Sequence, residues 1–293
     1  MGQLLDFRRF YLLLCKQWFE NRKSYGLFFL TIAAFFIGWF AFTLMIGNPR
    51  SFGASNQATI YFAGLFIAGC LSASFLIRDF TSKPRQINFH ALPAAALEKL
   101  LCVLFYGVLI FFIGYNIIFY VTDYLAIKMA NTSADAMMMS RTAEAIEWRQ
   151  RFGLMDGIPH SSPINIFTPS ADLFVFYPGD NVDLFTAFFP VQSVFILGSI
   201  YFAKNSFFKT LVVLLVIWLL FFILEDKLLF PLLPGNARSS NFVTTCEVPD
   251  NNGNETYYTL PFWIGTMMKF AARFLVTPAI WLAAYYRLKE KEI

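Results

Sequence analysis

Six runs of apolar residues, each about as long as a lipid bilayer is thick, constrain this chain more than any other feature. They cover residues 26–46, 58–77, 100–122, 184–203, 207–224 and 261–286. Each holds about 18 to 26 residues, enough to cross a hydrocarbon core of roughly 30 Å at 1.5 Å per helical residue. Inside hydrocarbon every backbone donor and acceptor must be satisfied within the segment, so such runs form helices. The composition agrees: 57% of the residues are hydrophobic and 14% charged, where a soluble domain carries about 25% charged residues. The expectation is an all-α membrane protein with six transmembrane helices.

The placement of lysine and arginine orients the spans. If the N-terminus is cytoplasmic, the inside segments hold 14 of these residues and the outside segments seven, although the outside loops are longer. Both termini are therefore expected in the cytoplasm. No cleavable signal peptide is expected, because the first apolar run is too long and leads into the turn Asn48-Pro49. Residues 1–25 interleave Leu5, Phe10, Trp18 and Phe19 with Arg8, Arg9, Lys16, Arg22 and Lys23. That pattern predicts an interfacial helix beside anionic headgroups.

Four divisions follow: the interfacial helix, 1–25; the first three spans, 26–122, with an inside loop at 78–99; an outside loop region, 123–183; and the last three spans with the tail, 184–293. The outside region is too long for idle connection. It holds a predicted amphipathic helix over 133–151, capped by Ser133, followed by Pro159, Pro163, Pro169 and Pro178. In the second outside loop, Asp250-Asn251-Asn252-Gly253-Asn254 reads as a turn.

Several chemistries find no support. None of the sixteen glycines precedes a lysine, so there is no phosphate-cradling P-loop. The two histidines, His90 and His160, fall on opposite sides of the bilayer and cannot share a metal. No G-x-S-x-G elbow occurs. The four cysteines form no zinc or redox spacing. No enzyme, cofactor, metal site or nucleic-acid partner is expected. Asp123 and Lys209 lie at span ends, where they can snorkel, and the lack of acids within spans argues against a proton-coupled carrier. Lys269 and Arg273 share a face of the sixth run. Either they line a polar pathway, or the run divides near Lys269 and both reach the outer interface. The second run carries Ala63, Gly64, Ala68, Gly69, Ser72, Ala73 and Ser74, small residues that allow close helix packing within the chain or a dimer seam.

The inside loop reads RDFTSKPRQINFHALPAAALEK. It is basic, and Pro93 before a run of alanines predicts a helix start that feeds the third span. The run LPAAALEKLL resembles the LPA-x-x-x-EK segment of bacterial ABC-2-type transporter permeases. The stretch LLCKQWFENRKSYG resembles their interfacial elbow, and YYRLKEKEI their ending. The resemblance implies an inner-membrane permease subunit of an exporter, paired with a second permease subunit and driven by a cytoplasmic ABC ATPase. It implies a coupling helix within 89–101, with Arg78, Lys83, Arg85, Phe89, Leu92, Pro93, Glu98 and Lys99 as candidate ATPase-docking residues. The long outside region departs from the compact family pattern. It favours an alternative: a membrane scaffold or accessory protein whose outside region binds a partner.

Overall fold

A computed structural model of the protein describes residues 6–46, 53–76, 94–139, 161–167, 181–202, 204–224, 227, 238–241, 245–249, 255–259, 263, 266–267, 270–271 and 274–290. Its helices are α1 (Phe7–Ile46), α2 (Ala54–Leu76), α3 (Ala96–Leu104), α4 (Phe111–Met139), α5 (Asn181–Tyr201), α6 (Ser206–Leu224) and α7 (Val276–Glu290). A six-residue π-helix, Phe105–Ile110, joins α3 to α4 without a break. Five helical stretches are long and apolar enough to cross a membrane: Phe7–Met45, Ala54–Phe75, Ala96–Ser133, Leu184–Tyr201 and Ser206–Leu224.

Two of these exceed a bilayer. The first is 39 residues long and the third 38, so at 1.5 Å per residue each measures close to 60 Å, about twice the hydrocarbon thickness. The interfacial helix expected over 1–25 is thus not a separate element. Nothing in Glu20 to Gly26 breaks a helix, and a single glycine costs only about 1 kcal/mol relative to alanine. Asp6 caps the start, its Oδ1 accepting from the Arg8 N–H at 2.9 Å. At the other end of the third crossing, α4 runs 17 residues past Thr122 into the expected outside loop. Ser133 caps no new helix there; its Oγ donates to the Ala130 carbonyl within α4. Residues 140–151 lie outside the described residues.

The chain divides into two compact units, Met1–Ser72 with Leu97–Phe188, and Ala73–Ala96 with Phe189–Ile293. In the first unit the close pairs fix the helix directions. Asp6 meets Glu98, Leu14 meets Tyr106, and Phe36 meets Tyr115 and Phe119. The numbers rise together, so α1 lies parallel to α3–α4. Tyr61 packs on Phe119 with ring centroids 4.8 Å apart, and Gly69 lies against Phe111, so α2 runs the opposite way. Phe185 packs on Tyr61 and Phe62, and Phe188 on Phe66, so the start of α5 is parallel to α2. Such alternation is what successive crossings require. Phe36, Tyr61, Tyr115, Phe119 and Phe188 are fully buried and form the core. The small residues of α2 serve this packing: Gly64 lies under the Tyr115 hydroxyl and the Phe36 ring, and Gly69 under Phe188.

In the second unit, α5 and α6 cross at Gly198 and Thr210, and Phe195 packs on Phe207 at 5.4 Å. Most of α6 is exposed and apolar, as for Leu215, Trp218 and Phe222. A helix that is hydrophobic all round and largely uncovered among the described residues is suited to lipid. To the all-helical expectation the structure adds a small antiparallel sheet in strand order β1 (Arg238–Asn241), β2 (Thr245–Pro249), β3 (Glu255–Thr259). Pro249 pairs with Glu255, and the expected turn between them, 250–254, lies outside the described residues. The sixth apolar run is described in part. Helical hydrogen bonds reach back from α7 to Ala271, the Leu275 N–H donating to its carbonyl at 2.9 Å. Lys269 and Arg273 lie outside the described residues.

Candidate functional site

Two polar constellations stand out in the first unit, at opposite ends of the third crossing. At its start, Glu98 is fully buried. Its Oε1 accepts from the Asp6 N–H at 2.8 Å and lies 3.4 Å from Arg9 Nη2. Two turns on, the Tyr106 hydroxyl donates to the Leu14 carbonyl at 2.9 Å, and its ring stacks on Tyr25 at 5.5 Å. These contacts clamp the N-terminal half of α1 along the first turns of the third crossing. Tyr106 belongs to the π-helix, a form frequent at functional positions.

The candidate docking residues separate accordingly. Arg78, Lys83, Arg85, Phe89, Leu92 and Pro93 lie outside the described residues. Ala94 and Ala95 are not helical, so the helix begins at Ala96 rather than at the proline. Glu98 and Lys99 are 0% and 2% exposed. Glu98 is the acceptor of the clamp.

At the far end of the same crossing lies a group that sequence reasoning assigned to the solvent. Asp123 is not a snorkelling side chain; it is fully buried, and among the described residues neither carboxylate oxygen has a hydrogen-bond partner. It lies one turn beyond Phe119. Because α2 is antiparallel, Gln57, one turn before Tyr61, comes level with it, as does Phe40 on α1. Residues 161–167 form a strap over this end. Gln57 holds the strap at two points, its Oε1 accepting from the Ile164 N–H at 3.1 Å and its Nε2 donating to the Ser162 carbonyl at 3.3 Å. Asn131 does the same at Ser161, with both bonds at 3.0 Å. The Tyr120 hydroxyl is hydrogen-bonded to the Ile166 backbone, and Phe167 stacks on Phe185 at 5.6 Å.

From Asn131 to Tyr120 is about 16 Å along a helix, and five extended residues reach about 17 Å. The strap therefore runs antiparallel to α4, and Asp123 and Ile127 lie between its attachment points. Ile164 and Ile166 are buried. Inside the crossing, Asn116 Oδ1 accepts from the Tyr61 hydroxyl at 2.9 Å, and the Tyr115 hydroxyl donates to the Tyr61 carbonyl at 2.6 Å. Such side chains are the polar glue of membrane helices.

Among the described residues no three His, Cys, Asp or Glu side chains come together as a metal site. Comparison of the chain with family models, with curated proteins and with solved structures gives no match.

Proposed function

We propose that the chain is the transmembrane permease subunit of an ABC-type transporter, an exporter worked by a separate ATPase chain and paired with a second permease subunit. In this reading it lies in the inner membrane, with both termini in the cytoplasm. The observation that carries the reading is the clamp of Asp6 and Arg9 on Glu98. The basic loop 78–99 ends where that clamp begins. A push on the loop would move the elbow half of α1 and the third crossing together, which is the mechanical coupling an external ATPase needs. The test is purification of the tagged chain from native membranes in mild detergent, with mass spectrometry of what accompanies it. A P-loop ATPase should co-purify and should be lost when Arg78, Lys83 and Arg85 are replaced by glutamate. Purification without any ATPase overturns the reading.

A second reading, a scaffold whose outside region binds a partner, is favoured by the extension of α4 and its pinned strap. Deleting 140–160 and bridging the gap with a short Gly/Ser linker, long enough for the roughly 12 Å from Met139 back to the level of Asn131, keeps the strap's anchors and α4 in place. Loss of a partner on that deletion, with no ATPase bound at any stage, would favour the scaffold.

A further inference from the structure

We propose that Asp123 is a proton-binding site, closed over by the strap of residues 161–167 that Gln57 and Asn131 hold in place. The proposal does not rest on the permease reading.

The argument starts from the side chain itself. An ionised carboxylate removed from water needs a cation or several donors, and without them the group neutralises instead. Asp123 is fully buried, and neither oxygen has a hydrogen-bond partner among the described residues. Among the described side chains, the elements packed around it offer no cation. Residues 26–46 of α1 contain no ionisable side chain, α2 offers only Tyr61 and Cys70, the strap offers none, and residues 184–188 of α5 offer none. On α4 the near neighbour is Tyr120, while Lys128 is exposed.

The remaining occupants are a metal ion and a proton. A hard metal ion takes about six oxygens. Here one carboxylate stands alone, and the side-chain oxygens of Gln57 and Asn131 already accept from the strap backbone. The proton is the occupant that fits.

The strap makes the site conditional. Its attachments are neutral amide-to-backbone pairs that water can replace. When they part, Asp123 meets solvent and ionisation no longer carries a desolvation cost. Proton loss and strap release therefore favour one another, and protonation favours the closed form.

The test is infrared difference spectroscopy on the full-length chain in liposomes. At pH 7 the wild type should show the carbonyl stretch of one protonated carboxylic acid that Asp123→Asn lacks. Asparagine has nearly the shape of the neutral acid, so this variant should fold; elution as a single species in gel filtration checks that. Asn131→Ala, and separately Gln57→Leu, should lose the band at a lower pH than the wild type does. If Asp123→Asn removes a carboxylate band and no acid band, Asp123 is ionised and the proposal fails. If both strap variants titrate as the wild type does, the strap does not close the site and that half of the proposal fails.

Discussion

At the residue scale, the close approaches in this protein are made by glycines, and they differ in how much their neighbours can yield. A Cβ on Gly114 would meet the outer edge of the Phe29 ring, which can swing. A Cβ on Gly198 would meet the Thr210 side chain down to its own Cβ, at 2.9 Å, which cannot move without α6. Overpacking of this kind costs about 1–3 kcal/mol. Gly198→Ala is expected to lower the thermal unfolding midpoint in detergent more than Gly114→Ala. Thr210→Ala, which removes Oγ1 and Cγ2, should restore part of the loss. Glu98 gives a second prediction at this scale. Glu98→Gln keeps an acceptor for the Asp6 N–H and weakens the pairing with a half-exposed Arg9, so it should cost about 1 kcal/mol. Glu98→Lys puts an unpaired charge where there is no solvent, beside a like charge, and should prevent a single folded species in gel filtration.

At the scale of elements, the sequence carried the apolar runs and lost their ends. Crossings are legible because hydrocarbon demands a fixed length of apolar residues. What a helix does beyond the bilayer is decided by packing. Five basic residues in the first 25 set that stretch apart from the apolar run after it, yet whether it breaks from the span depends on Glu98, Leu14 and Tyr106 holding it in line. The burial of Asp123 was hidden for the same reason. The residue stands at the end of an apolar run, and the strap that covers it is about 40 positions away in sequence. Gln57, at the edge of one apolar run, and Asn116, within another, were a signal that could have been read. The π-helix was not legible, since its extra residue answers to what α1 presents. That leads to a prediction for this element. Deleting Gly107 should convert the segment to α-helix and rotate everything before it by about 100° relative to α4. Glu98 would then leave Asp6 and Arg9. With cysteines placed at positions 9 and 98, in a background lacking the native ones, a short thiol cross-linker should bridge the parent chain and fail on the deletion.

At the scale of the whole molecule, the number of crossings decides on which sides the two ends lie. An even number puts Met1 and Ile293 on one side, and an odd number puts them on opposite sides. Five stretches qualify by length and composition, and the sixth run is the deciding one. α7 is Val276–Glu290, and the Leu275 N–H donates to the Ala271 carbonyl before it; a helix over positions 271–290 would be roughly 30 Å long at 1.5 Å per residue. Its last turn carries Arg287 and Lys289, so the apolar part is nearer 24 Å. A span this short can cross by local thinning of the bilayer, with long cationic side chains reaching the interface. Arg287 is placed for that: its guanidinium lies 4.8 Å over the Tyr201 ring and 2.7 Å from Glu290. Counted for six crossings, the 14-to-seven distribution of lysine and arginine leads to the expectation that both ends lie on the positive-rich side. Epitope tags at the two ends should therefore both resist protease in right-side-out vesicles and both be cut in inverted ones. Protection of one end and cleavage of the other in the same vesicles would mean five crossings, and would move residues 271–290 from the bilayer to its surface.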